Sequence, residues 1–289
     1  MGRSVSWASF THGAGAEPAW FLFMKLNGQL DRIIPADALR YLSGHFDVIG
    51  DVAIISIPPE LDAYRQAIVY AIQSGRRNIV TVLCRVTGST GPARTAGYEI
   101  LSGGRTVTIH REFGFAYQLD VMKVFFNPRL AGERRRVTEQ VQPGESVLIP
   151  FCGVGPFVIP AAARGATVTA LEQNPEACRW LVENVRSNGV HDRVTIIRGD
   201  AFERSAYPDR LFDRAIVPTP YGRDGILELI APMVRPGGMI HFYTFRNRRQ
   251  SAQLEHEFTW KGLAVVLRHR CGNVAPSVSR WVYEMRKEG

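Results

Sequence analysis

Val147-Leu148-Ile149-Pro150-Phe151-Cys152-Gly153-Val154-Gly155-Pro156-Phe157, with Ala170-Leu171-Glu172-Gln173-Asn174-Pro175 shortly after, is the stretch that decides the fold. An apolar run breaks into a Gly-x-Gly turn, and a second apolar run ends in a carboxylate. Doubly wound sheets build adenosine sites this way: glycine lets the backbone approach the ligand, and the acid takes ribose hydroxyls. The third glycine of a dinucleotide fingerprint is missing, and Asn174-Pro175 follows the acid. Both features point to S-adenosylmethionine (AdoMet). Gly-x-Gly alone is weak, because tight strand–helix turns also use it for packing. Glu172, at the end of the next predicted strand, strengthens the reading.

Outward from this stretch, strands are expected near 146–150, 167–171, 194–197, 213–217 and 237–244, with helices near 156–164, 175–188 and 223–234. An antiparallel ending, Leu263–Arg270 and Val278–Met285, completes an α/β class I (Rossmann-like) methyltransferase plan with a mainly parallel seven-stranded sheet. Ahead of it, Val52–Ile57 and Val80–Val86 read as strands flanking a helix over 60–74. Arg94–Ile109 reads as a hairpin around Ser102-Gly103-Gly104, and the strand-rich run continues to Phe126. The division expected is an N-terminal segment 1–40, a small α+β domain 41–130 and an AdoMet-binding catalytic domain 131–289.

The chain of 289 residues, 45% hydrophobic and 21% charged, has the composition of a globular protein with a substantial core. Its four cysteines lack Cys-x-x-Cys spacing, so reduced thiols in the cytoplasm are expected, with no metal site. Nothing approaches the roughly 20 apolar residues of a membrane span. A net charge of +8, with local runs at Arg134-Arg135-Arg136 and Arg246-Asn247-Arg248-Arg249, suits a polyanionic partner, with a solvated basic surface as the alternative. The oligomeric state is left open, with a monomer as the default.

Gly199-Asp200-Ala201 follows the third strand of the catalytic part, where a carboxylate can accept from the adenine amino group; a turn or N-cap aspartate is the alternative. Val217-Pro218-Thr219-Pro220-Tyr221-Gly222 ends the fourth strand, on the edge where ligands gather. It is similar to the Asn/Asp-Pro-Pro-Tyr loop of base and amide methyltransferases. Pro218 offers no side-chain acceptor, while Tyr221 can stack on a planar substrate. Read alone, Glu133 and its arginines are a helix start with a charged face, and Arg94 is a loop arginine.

Several segments together resemble the archaeal and eukaryotic tRNA guanine-37 N1-methyltransferases and their wyosine-pathway relatives, the aminocarboxypropyl transferases. They are Phe46–Ile54, His110-Arg111-Glu112-Phe113-Gly114, Phe126–Arg134, Phe151–Phe157, Asn174-Pro175 and Gly237–Tyr243. The resemblance implies tRNA as partner, AdoMet as cofactor, Glu133 as general base and Arg94 on the guanine O6. It implies a cofactor site at Phe151, Gly153, Gly155, Glu172, Asn174, Asp200 and Pro218, and acceptor contacts from Arg129, Thr219, Pro220 and Tyr221. The chain departs from the methyltransferases at Pro218, which replaces their loop asparagine, and at Ile149, which replaces an acid. Glu172 with Val182-Glu183-Asn184 is closer to the aminocarboxypropyl transferases, whereas Arg129–Arg134 and Gly155-Pro156-Phe157 favour the methyltransferases. The function expected is therefore methylation of tRNA guanine-37 at N1. The alternatives are aminocarboxypropyl transfer, methyl transfer to a protein or small molecule, and a non-catalytic RNA-binding module.

Overall fold

A computed structural model describes residues 28–86, 97–275 and 277–289. After the short helix α1 (Ala36–Leu39), a four-stranded sheet runs in the order β1 (Asp47–Ile49), β2 (Val52–Ile55), β3 (Thr81–Arg85), β4 (Tyr98–Ser102). β2 and β3 are parallel, joined through helix α2 (Arg65–Gly75). The β-branched run of β2 is buried along its whole length because both faces are covered. Strand alternation divides it: Ala53 and Ile55 pack with Ile68 and Ile72 of α2, while Val52 and Ile54 join the larger core with Tyr117 and Leu119.

The expected hairpin around Ser102-Gly103-Gly104 does not form. β4 pairs with β3, and β5 (Val107–Glu112) pairs instead with β6 (Phe115–Asp120). Gly103, at φ +78°, lies so close to β3 that a Cβ there would stand 2.2 Å from the Val80 carbonyl oxygen. The β5–β6 turn is Phe113-Gly114, both at positive φ, the geometry of a two-residue hairpin. A phenylalanine in that position gives no Asn-Gly signal, so the turn is hidden in the sequence.

The second sheet has the order β12-β13-β11-β10-β7-β8-β9, with β7 (Ser146–Pro150), β8 (Thr167–Glu172), β9 (Val194–Arg198), β10 (Phe212–Val217), β11 (Val234–Arg246), β12 (Leu263–Ala275) and β13 (Val278–Lys287). β7 to β11 are mutually parallel, and β13 and β12 are antiparallel additions, as the sequence implied. The helices are α3 (Ala131–Thr138) ahead of β7, α4 (Val158–Ala163), α5 (Pro175–Ser187), α6 (Ile226–Ile230) and α7 (Arg248–Trp260). α7 was not anticipated. Its capping box, Asn247 with Gln250, is visible in the sequence but sits inside a basic run that reads as surface charge. No helix among the described residues is long and apolar enough to cross a membrane.

Two asparagines dock the β5–β6 hairpin, Asn184 on α5 and Asn188 at its C-terminal end. Asn184 Oδ1 accepts the Gln118 N–H at 2.7 Å, and its Nδ2 donates to the Gln118 carbonyl at 3.0 Å. Asn188 makes the same pair of bonds with Ala116, at 3.0 and 2.7 Å. A helix advances about 6.0 Å over four residues and a strand about 6.7 Å over two, so the spacings match. Asn184 Nδ2 also reaches the Val154 carbonyl at 3.1 Å, which ties the hairpin to the glycine turn after β7. That turn lies at the switch point, where β8 leaves β7 on one side and β10 adjoins it on the other.

Candidate active site

The carboxyl ends of β7, β8, β9 and β10 bring together the glycine turn, Glu172, Asp200 and Pro218. Gly153 and Gly155 are both at positive φ, +57° and +97°, for different reasons. A Cβ on Gly155 would meet Leu181 Cδ1 at 2.6 Å, so this glycine serves packing against α5. At Gly153 the nearest atom would be the Phe125 carbonyl oxygen at 3.9 Å, which leaves open space on the ligand side. Glu172 Oε2 accepts the Gly153 N–H at 2.8 Å, and Oε1 accepts those of Gln173 and Asn174 at 3.0 and 2.9 Å. The carboxylate is thereby fixed, and Oε2 keeps a lone pair for a ribose hydroxyl.

Asn174 is the N-cap of α5: its Oδ1 accepts from Glu176 N at 3.0 Å, and its Nδ2 donates to the Lys123 carbonyl at 3.0 Å. Both polar ends of its side chain are thereby engaged by backbone. Asp200 Oδ1 holds the Phe202 N–H at 3.0 Å in an Asx turn. Phe151, at φ +53°, sets its ring 6.3 Å from that of Phe202. A ribose-reading acid, an open glycine backbone, a second Asp200 oxygen and two aromatic edges fit an adenosine-bearing ligand such as AdoMet.

Glu133 lies in the first turn of α3 and is 9% exposed. Arg136 grips both of its oxygens at 2.8 Å, and the Tyr243 hydroxyl donates to Oε1 at 2.9 Å. Burial and the facing Glu133 carboxylate hold the Tyr243 hydroxyl well above its ordinary value, so it stays a donor. Arg136 also donates to Glu284 Oε1 at 2.5 Å, which Gln140 Nε2 joins at 3.0 Å. His269 and Cys271, on β12, place their ligand atoms with those of Glu133 within 4.8 Å of one another. Burial and Glu133 push the Cys271 thiol up to about 12. A guanidinium on both Glu133 oxygens makes this carboxylate a hydrogen-bond acceptor and a poor cation ligand. The next residue, Arg134, is buried on Glu112, with its Nε 2.9 Å from Oε2 and its Nη2 on Oε1. Glu112 also meets His110 Nε2 at 3.1 Å, and His110 Nδ1 accepts the Gly50 N–H at 3.2 Å. This chain links the first sheet, the hairpin and the helix that carries Glu133.

Beside the strand ends, Tyr221 and Arg129 line a cavity of about 440 Å³ together with Arg85, Phe126, Phe245 and Arg280. Tyr221 is exposed, with its ring 5.4 Å from that of Phe245. Arg129 Nε donates to Asp47 Oδ1 at 2.5 Å, across to the first sheet. Thr219 is buried and its hydroxyl is spent on the Val217 carbonyl at 3.2 Å, so its role is to shape the loop. Pro218 and Pro220 are partly exposed on either side of it. Glu133 is not among the residues lining this cavity. Arg94 lies outside the described residues. Sequence reasoning missed Arg136, Tyr243, Cys271 and Arg280, which come from separate elements and share no motif.

Fold and site together define a Rossmann-like class I methyltransferase architecture with a glycine turn and a fixed carboxylate at the strand ends and a separate cavity beside them. Residues 108–259 match the TRM5/TYW2 methyltransferase domain, and residues 26–106 match the TYW2 N-terminal domain. The chain belongs to the TRM5/TYW2 family. It is 39% identical over 213 residues to the Pyrococcus abyssi tRNA (guanine(37)-N(1))-methyltransferase Trm5b, covering 73% of this chain and 63% of that protein. It is 33% identical over 217 residues to the Pyrococcus horikoshii tRNA(Phe) (4-demethylwyosine(37)-C(7)) aminocarboxypropyltransferase, covering 74% of this chain and 76% of that one. Among solved structures, the complex of aTrm5 with tRNALeu matches with a TM-score of 0.81 at 27% identity, over 91% of this chain and 77% of that one. The P. horikoshii TYW2 complex with MeSAdo matches with a TM-score of 0.73 at 25% identity, over 91% and 98%.

Proposed function

We propose that this protein is a cytoplasmic AdoMet-dependent tRNA methyltransferase that acts on N1 of guanine-37. The observation that carries the reading is the pairing of an adenosine-type turn, Gly153 with Glu172, with the buried Glu133 cluster across the strand ends. It is supported by the match to Trm5b and by related structures that hold tRNA or MeSAdo. Bound AdoMet supplies an electrophilic methyl group on a sulfonium. Glu172 takes the ribose hydroxyls, Gly153 admits the ligand backbone, and Asp200 with Phe151 and Phe202 borders the adenine. Guanine N1 carries a proton, so transfer needs a base, and the Glu133 carboxylate is the group that would take it. One Glu133 oxygen exchanges an Arg136 N–H for the guanine N1–H, while Arg136 keeps Glu284. Tyr243 fixes the other oxygen, which aims the carboxylate.

The second reading, aminocarboxypropyl transfer on the same cofactor, is favoured by Glu172 and by the relative that carries that name. The by-product separates the two. Incubation with AdoMet and bulk tRNA is expected to give S-adenosylhomocysteine and a singly methylated guanosine mapping to position 37 by mass spectrometry. Methylthioadenosine as by-product would establish the second reading. Methylation elsewhere in the RNA would overturn the position.

A further inference from the structure

Glu284 lies directly across from His241 in the pairing of β13 with β11, and the two are 5% and 0% exposed. Arg214, on β10, donates from Nη1 to His241 Nε2 at 2.7 Å, while its Nε and Nη2 hold the two oxygens of Glu145. A guanidinium can only donate, so Nε2 accepts and the imidazole proton sits on Nδ1. That buried nitrogen has no other partner, and Glu284 Oε1 faces it at 3.4 Å. Burial holds His241 below its ordinary value, with Arg214 acting the same way and Glu284 against it, so the ring stays neutral. Burial also opposes the charge on Glu284, yet His241, Arg136 and Gln140 draw its carboxyl down to about 2. Glu284 is therefore a fixed negative charge.

Arg136 is shared between this charge and the base. Its Nε and Nη2 grip Glu133, and its Nη1 donates to Glu284. Among the described residues no third carboxylate pairs with it. The other groups on Glu133 bring no negative charge. Burial and Glu133 keep the Tyr243 hydroxyl and the Cys271 thiol protonated, and His269 offers only an imidazole at 4.0 Å. Two carboxylates and one guanidinium carry one net negative charge before transfer. Once Glu133 takes the guanine proton, the remaining pair, Arg136 with Glu284, is neutral. Without Glu284 the same step would leave a partly buried cation unpaired, which protein surroundings penalise. We infer that Glu284 is a positioning residue for Glu133, balancing Arg136 at the moment when Glu133 takes the guanine proton. The inference rests on the methyl-transfer reading above. It gives two carboxylates on one arginine different tasks, because only Glu284 has a dedicated imidazole donor.

The test uses the whole chain with AdoMet and tRNA, comparing wild type with Glu284→Gln, Glu284→Asp, Arg136→Met and the double variant of Glu284→Gln with Arg136→Met. Glu284→Gln keeps the shape without the charge, and is expected to lower the single-turnover rate about three- to tenfold with AdoMet affinity by calorimetry unchanged. The acid limb of its rate profile is expected about one pH unit below that of wild type, because Glu133 gives up its proton more readily when Arg136 is no longer shared. Glu284→Asp, which retains the charge, is expected to retain the wild-type limb. In the Arg136→Met background, Glu284→Gln is expected to cost nothing more. An unmoved limb in Glu284→Gln, or losses that multiply in the double variant, would overturn the inference. A fall in AdoMet affinity would do so too, by assigning Glu284 to the fold. Failure of the underlying reading is distinct, because wild type alone reports it. Methylthioadenosine as by-product, or tRNA left unmethylated, would remove the proton transfer that Glu284 serves, and the inference with it.

Discussion

Glu133 receives two N–H groups from Arg136 and the hydroxyl of Tyr243, so its carboxylate is held in one orientation. Glutamine preserves the shape and one acceptor oxygen but cannot take a proton. Glu133→Gln is expected to lower the rate of transfer by about 10²–10⁴-fold while AdoMet affinity holds, checked by single-turnover kinetics beside calorimetry. An equal loss in both would assign Glu133 to binding. At this scale the sequence is informative where one residue does one job. Gly153, Gly155 and Glu172 can be placed from their spacing, because the end of a parallel strand dictates the position of the turn after it. Asn174 is less legible, since an asparagine before proline caps a helix as readily as it touches a ligand.

The β5–β6 hairpin is held against α5 by side-chain amides that imitate a neighbouring strand. Asn184 is fully buried and serves three backbone groups, one of them in the glycine turn. Asn184→Ala is expected to cost ~2–4 kcal/mol in urea unfolding, because a buried N–H and two carbonyls lose their partner. The same variant is expected to weaken AdoMet binding through Val154, which calorimetry checks. An unchanged urea midpoint would mean that water replaces the amide. Val182-Glu183-Asn184 is legible in the sequence only as a family trait, because nothing local shows that a helix asparagine has a strand to serve. The misread hairpin has the same origin: Gly103-Gly104 marks a turn, but pairing partners are a long-range property.

One core runs from the first sheet through the hairpin to the central strands, uniting Ile49 and Val52 with Val147 and Val168. Buried ion pairs cross the same boundary. Burial alone would raise the Glu112 carboxyl, but His110 and Arg134 hold it below the ordinary value of 4.5. Glu284 is likewise opposed by burial yet is drawn down to about 2 by His241, Arg136 and Gln140. A carboxyl lowered in the folded state adds stability above its unfolded value and loses it as pH falls through the folded one. Stability is therefore expected to hold above about pH 4.5 and to fall steadily toward pH 2. Urea midpoints across that range check this, and Glu284→Gln should flatten the acid limb. An unaltered limb in that variant would remove Glu284 from the linkage.

The sequence by itself determined the mainly parallel second sheet with its antiparallel ending and the place of the glycine turn after β7, because these rest on local hydrophobic period and on short motifs at strand ends. It also identified Glu133 and Tyr221 as residues to watch, through family resemblance for the first and loop chemistry for the second. Tertiary structure alone decided how Glu133 is held beyond the Arg136 three residues along its own helix, since Tyr243, His269 and Cys271 come from two later strands. It alone separated Arg129, paired with Asp47, from Arg280, buried without an acid. Arg280 carries no signal in the sequence and Arg129 only a family resemblance, because charge belongs to the residue while its compensation belongs to the neighbours that folding brings.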